Sequence, residues 1–326
     1  MRARRKWGNR AMRHFIRQRS FGLVAAVAML VLAGTGAWPA SAKARVLIVT
    51  SGDLPQYRAP IAAFERRTKR PATLVQLKGT PDVARRRLER AAAEAPVEAV
   101  FALGGRAVYL AREVLPSTPL VFAMVLQHQG LDLHGPVTGV EVQLPVESLF
   151  ARFKMLLPTL HRIGVLYGPT LGPEAIERIR RAAAAVQVEL VAARVRHPDE
   201  VAGAYRRIRT RIDALWMVPD PVAITRDNFA YLSHRTRNDG IAFLAFSENF
   251  VRAGALMSIA PTYETMGEQA AVLLERLLES PGHPPPIQPP LGTRLVVNTE
   301  VARALGLDRT ATLLGSADEL IASEGP

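Results

Sequence analysis

The chain contains no cysteine. That excludes disulfides, thiolate metal centres, a cysteine nucleophile and the lipid-bearing cysteine of an anchored lipoprotein. No G-x-G-x-x-G or G-x-x-x-x-G-K pattern occurs, so nucleotide binding has no support. No G-x-S-x-G nucleophile elbow occurs either. The seven histidines are scattered. His128, Asp132 and His134 share a polar loop, but nothing there imposes tetrahedral ligation. Beyond the first forty or so residues, no apolar run reaches the roughly 20 residues of a spanning helix.

Acid is also missing from residues 1–20, which carry Arg2, Arg4, Arg5, Lys6, Arg10, Arg13, Arg17 and Arg19. Residues 21–37 hold no charge, and Ala40–Ser41–Ala42 follows. A basic region, an apolar region and a small-residue motif in that order read as a secretory signal cleaved near Ala42. An uncleaved membrane anchor is the competing reading, and Arg4–Arg5 leaves a twin-arginine signal open. The expected location is the periplasm. This segment also accounts for most of the basic balance. The formal charge of the chain is +13; without these eight cations it is +5 over residues 43–326. The remaining cations alternate with acids, as in Glu65–Arg66–Arg67. Solvated helix faces explain them better than a nucleic-acid surface.

From Lys43 onward, short β-rich apolar runs alternate with helical periodicity. Arg45–Thr50, Ala72–Lys78, Val97–Leu103 and Pro119–Val125 read as strands separated by helices. The pattern restarts after Val137–Val142. Arg162–Tyr167, Val188–Val195, Ala214–Val218, Ile241–Phe246 and Ala255–Ile259 are the next strands. Tyr263–Glu279 reads as a long helix, Arg294–Val297 as a last strand, and the tail beyond Asp308 as loosely ordered. The fold class is α/β, with two doubly wound parallel-sheet lobes. The late return of strand and helix suggests that the chain re-crosses between lobes. Residues 43–142 plus 258–292 are assigned to lobe one, and 143–257 plus 293–326 to lobe two. Two beads joined once near residue 140 is the alternative.

In open parallel sheets, ligands bind at the carboxyl ends of strands. Ser51, Gly52 and Asp53 follow the first strand. Gly104, Gly105 and Arg106 follow the third, and Gln127 the fourth. In the second half the corresponding positions are Tyr167, Asp220, Ser247 and Glu248. Amides opening the helix after Gly104 favour an anionic group such as a carboxylate. Asp220 or Glu248 suits a cationic group such as an amine. Tyr57, Trp216, Phe246 and Phe250 are candidate apolar walls. Each has a plainer reading. The glycines are turns, Ser51 and Asp53 are caps, Asp220 shapes a turn between two prolines, and Trp216 is core.

Several segments together resemble a known family. They are Val137–Thr138–Gly139–Val140, then Leu156–Leu157–Pro158 with Arg162–Tyr167, then Asp213–Trp216 through Pro219–Asp220. Phe246–Ser247–Glu248 with Gly254–Leu256 and Tyr263, and Leu295–Asn298 with Ala304–Leu307, complete the set. In order and spacing they resemble the ABC-transporter substrate-binding proteins of the tryptophan/phenylalanine-binding type. The loops Gly52–Tyr57 and Leu126–His128 depart from that pattern. The resemblance implies a type I periplasmic binding protein fold with three crossover segments. It implies an amino-acid-like ligand trapped between lobes by hinge closure and an ABC permease as partner. It places Ser51, Gly105, Asp220 and Glu248 in the cleft. No catalytic residue, metal or cofactor is called for, the protein is not expected to be an enzyme, and a monomer is expected. A ligand-sensing module that docks on a sensor or receptor is the first alternative. A hydrolase using Asp220 or Glu248 is the second.

Overall fold

The computed structural model describes residues 43–322 apart from Gln127 and Asp132. The expected export segment and the candidate Gln127 lie outside the described residues.

The first α/β series runs β1 (Arg45–Thr50), α1 (Arg58–Arg67), β2 (Ala72–Gln76), α2 (Pro81–Glu94), β3 (Val97–Leu103), α3 (Gly105–Val114), β4 (Leu120–Ala123) and β5 (Val137–Gly139). The second runs α4 (Val146–Leu156), β6 (Arg162–Tyr167), α5 (Pro173–Ala185), β7 (Glu189–Arg194), α6 (Val201–Ile208), β8 (Ala214–Trp216), α7 (Arg226–Asn238), β9 (Ala242–Ala245), α8 (Glu248–Arg252) and β10 (Met257–Pro261). The long helix α9 (Tyr263–Glu279) follows. After it come β11 (Thr293–Asn298), α10 (Thr299–Ala304), α11 (Ala311–Gly315) and β12 (Glu319–Ile321).

The local rules are visible in the helix starts. Pro81 and Pro173 open α2 and α5, where a missing N–H loses no bond. Thr225 caps α7, its hydroxyl accepting from the Asn228 amide at 3.1 Å. The central strands are buried on both faces, which is why they read as unbroken apolar runs.

Two sheets result. The first has the order β2-β1-β3-β4-β5 and is parallel throughout. Leu88, Ala107 and Ala111 of α2 and α3 cover one face. Phe64 of α1 and Met266 and Leu274 of α9 cover the other, with Phe64 stacked on Phe101 at 4.3 Å. The second sheet has the order β12-β11-β10-β9-β8-β6-β7. Helices α4, α5 and α10 cover one face, and α6 and α7 the other. It is parallel except that β11 runs antiparallel to β10.

The expected lobe boundary at residue 258 falls inside β10, which pairs with β9 and β11 in the second sheet. The chain leaves that sheet only after Pro261. Residues 309–322 of the tail, expected to be loose, are ordered. Leu313 of α11 is fully buried, and β12 extends the sheet by pairing parallel to β11. Ion pairs from Arg252 and Arg294 to Glu319 hold that strand. A three-residue strand is too short to show periodicity.

Three segments cross between sheets. The chain passes from β5 to α4, from β10 to α9, and from the 280–292 segment to β11. They touch one another: the Glu141 amide donates to the Gln288 carbonyl (2.8 Å), and the Thr262 amide to the Gly292 carbonyl (3.0 Å). β5 and β10 both exit at their carboxyl ends. β11, being antiparallel, enters at the same edge, with Thr293 opposite Pro261. Every crossing therefore joins the carboxyl edge of one sheet to the carboxyl edge of the other.

Candidate functional site

Each sheet has one place where consecutive connections leave in opposite directions. In the first it lies between β1 and β3, because β2 is added on one side and β4 on the other. In the second it lies between β6 and β8, for the same reason. No helix fills the gap at the carboxyl end of such a switch point, so a crevice is left there. The strand-end residues of β1, β3, β6 and β8 are the ones this topology brings forward.

In the first sheet, Ser51 and Gly104 meet across the switch point. The Ser51 hydroxyl accepts from the Ala107 amide at 3.0 Å, inside the first turn of α3. Tyr57 is buried, and its hydroxyl bonds to Ser51; burial pushes its pKa above the ordinary phenol value. Gly104 adopts φ +86°, and a Cβ there would stand 2.6 Å from both Ser51 Oγ and Tyr57 Oη. Only glycine satisfies both demands. Gly105, next in the chain, has open space where a side chain would point. Its amide and that of Arg106 open α3, where the partial positive charge of the helix end is concentrated.

In the second sheet, Asp220 is 2% exposed. Its Oδ1 accepts from the amides of Val222 (2.9 Å) and Ala223 (3.0 Å). Its Oδ2 is buried with no hydrogen-bond partner among the described residues. The carboxylate lies against the end of β6: a Cβ on Gly168 would stand 2.5 Å from Oδ1 and 3.0 Å from Oδ2. The turn-shaping bonds thus fall to one oxygen of the side chain, and the other is left without a donor among the described residues.

The other sequence candidates separate from these clusters. Asp53 is exposed and ion-paired to Lys78 at 2.7 Å, with Gln76 donating to its other oxygen at 3.2 Å. Hydrogen bonding from Lys78 holds its carboxyl below the usual range. Gly52 supplies a carbonyl to the Thr50 hydroxyl (2.7 Å). Arg106 reaches back to the Gly79 carbonyl (2.9 Å), tying α3 to the loop before α2. Tyr167 is half-buried against the core beneath α4 and α5. Ser247 precedes α8 without capping it.

Glu248 is engaged by Arg252, whose Nε lies 2.9 Å away, and Arg252 also bonds Glu319. Its charge is thus spent on the β12 edge of the sheet, away from the β6/β8 switch point. Trp216 is core, edge-on to Phe150 at 5.5 Å and to Phe153 at 6.1 Å. Phe246 and Phe250 are half-buried and in mutual contact at 5.0 Å, just past the end of β9.

Sequence reasoning passed over Lys78 and Gln76, the partners of Asp53. Their place at and just past the carboxyl end of β2 was the available signal. Among the described residues, no group of three or more His, Asp or Glu is placed to hold a metal ion.

A model of a family described as ABC transporter substrate binding protein matches residues 110–321. No curated protein matches the chain in sequence. Among solved structures, the fold is similar to the ligand-free, open structure of CD0873, a substrate binding protein with adhesive properties from Clostridium difficile. The TM-score is 0.72 at 16% identity, covering 86% of this chain and 100% of that one. It is similar to an ABC domain in complex with L-Trp from Streptococcus pneumonia, with a TM-score of 0.56 at 17% identity over 86% and 100% of the two chains. A XylFII–LytSN complex gives 0.58 at 13% identity over 80% and 99%.

Proposed function

The chain belongs to the ABC transporter substrate binding protein family, and from that premise we propose that it is an exported, monomeric solute-binding protein that delivers a small amino-acid-like ligand to an ABC permease. The observation that carries the ligand reading is the unpartnered Oδ2 of buried Asp220 at the β6/β8 switch point. A buried carboxylate oxygen without a donor is costly unless something arrives to satisfy it. A ligand ammonium group would do so. The opening amides of α3, at the other switch point, would take the ligand carboxylate. Tyr57, Phe246 and Phe250 would supply the aromatic walls.

Function on this reading is a shift of population, not chemistry. A ligand that touches both lobes binds the closed form better than the open one and draws the molecule shut. The three crossings, all at the carboxyl edges, are the segments that would flex. The closed form is then what the permease recognises. The location follows as extracytoplasmic, with the 1–42 segment as the export signal.

The test combines calorimetry against a panel of amino acids with small-angle scattering of the free and bound protein. Saturable binding with a smaller radius of gyration supports the proposal. Turnover of the bound compound without closure would sink it and favour a hydrolase. The XylFII–LytSN complex, similar in fold, supports a second reading in which the closed form docks on a sensor instead of a permease. Co-purification of the liganded protein with a sensor ectodomain and not with a permease would favour that reading.

A further inference from the structure

The first sheet ends at β2, which pairs with β1 on one side and with nothing on the other among the described residues. A groove of about 690 Å³ runs along this free side. Its floor is the consecutive backbone Thr73–Gln76, and its wall is one stripe of α2 containing Val83, Arg86, Arg87 and Arg90. Leu74 and Val83 are exposed here, 44% and 40% respectively. Edge strands of this kind present a row of unused amides and carbonyls.

The charges on the wall are of one sign. Arg86 and Arg90 have no ion-pair partner among the described residues, while Arg87 spends one donor on the Gln76 carbonyl at 3.0 Å. The one acid on the rim, Glu94, is paired with Arg45. Arg85, on the adjoining face of α2, is occupied by Glu113 and does not contribute. The groove thus combines an open strand edge, two exposed aliphatic side chains and a cationic wall.

We propose that this groove is a docking site for an extended, acidic segment of a partner protein, which adds to the sheet as a strand beside β2. The free backbone edge supplies main-chain bonds to any extended chain. Leu74 takes apolar side chains on one face of the added strand, and the arginines of α2 select acidic ones on the other. Two other occupants fit worse. A second copy would bring its own three arginines against these. The N-terminal segment of this chain carries eight cations and no acid over residues 1–20, so it is repelled. The site lies on the side edge of one sheet, not at its carboxyl edge, so docking there is independent of the ligand reading.

The test uses the full chain and a fluorescent peptide of about eight residues that alternates valine with glutamate. A second peptide, with lysine in place of glutamate, is the control. Anisotropy should show saturable binding of the acidic peptide only, weakening as salt is added. The double variant Arg86→Glu/Arg90→Glu should bind about tenfold or more weakly. Both side chains are exposed and unpaired, so its circular dichroism and melting temperature should match the parent. Hydrogen exchange of the Leu74 and Gln76 amides, which alternate with those bonded to β1, should slow on binding. The proposal is overturned by equal binding of the lysine peptide, by no loss in the double variant, or by binding without protection of those amides. Failure of the acidic peptide to bind would mean that the arginines only guard the edge against aggregation. Self-association of the parent through β2 in sedimentation would assign the groove to a second copy and also refute it.

Discussion

Asp220 offers the sharpest test of the ligand reading, because its two oxygens have different work. Oδ1 holds the Val222 and Ala223 amides, and Oδ2 holds nothing. Asp220→Asn can keep the first role, with its amide oxygen in the Oδ1 position, while removing the charge. Asp220→Ala removes both roles. Two lost turn bonds cost about 1–3 kcal/mol of stability in the alanine variant, and the asparagine variant should lose less than about 1 kcal/mol. A charge-assisted bond from a ligand ammonium to Oδ2 is worth about 1.5–3 kcal/mol. Its loss should weaken binding roughly 10- to 150-fold in both variants. Thermal shift against the amino-acid panel identifies a ligand. Calorimetry then gives affinity, and denaturant melts give stability, for parent and variants. An asparagine variant that binds as tightly as the parent refutes the reasoning, and Asp220 is then only a turn residue.

Gly168→Ala puts a Cβ 2.5 Å from Asp220 Oδ1 and 2.9 Å from the Val222 side chain. It should cost about 1–3 kcal/mol in denaturant melts and also weaken ligand binding; an unaltered melt contradicts the close approach. Gly104→Ala combines an unfavourable φ with contact on Ser51 and Tyr57. A loss of about 1–3 kcal/mol is expected, read as a lower melting temperature. The Glu319 carboxyl is held below its ordinary value of 4.5, chiefly by the Arg294 hydrogen bond and then by Arg252. A depressed folded value means the contribution is present in full above 4.5 and fades as pH falls through the folded value. Glu319→Gln should therefore be less stable than the parent at neutral pH, with the gap closing in acid; a gap that stays constant with pH would show that the pairing contributes nothing.

Much of the fold was legible one segment at a time. Arg45–Thr50 and Arg162–Tyr167 were readable because strands buried on both faces have no polar side to disguise them. Thr225 was readable as a cap because capping is a local bond, made three residues away. The strand β12 was hidden, since what holds it is distant: Arg252 is sixty-seven residues from Glu319. Glu248 was read as a site residue although its partner Arg252 stands one helical turn away, because that pairing exists only once the short helix α8 forms. At the candidate site, the sequence placed Ser51, Gly104 and Asp220 at strand ends, but not which strand ends meet.

Periodicity and composition by themselves determined that this is an α/β chain without thiol chemistry, and which segments form its central strands, although not β12. These are properties of a few neighbouring residues, and the backbone's preference for alternation or a 3.6-residue turn carries them. Strand order belongs to the tertiary structure alone. It put β1 beside β3 and β6 beside β8, turned β11 against β10, and drew all three crossings to one edge. Pairing partners are chosen by packing between segments far apart in the chain. That choice, not any local signal, leaves one oxygen of Asp220 buried and unanswered.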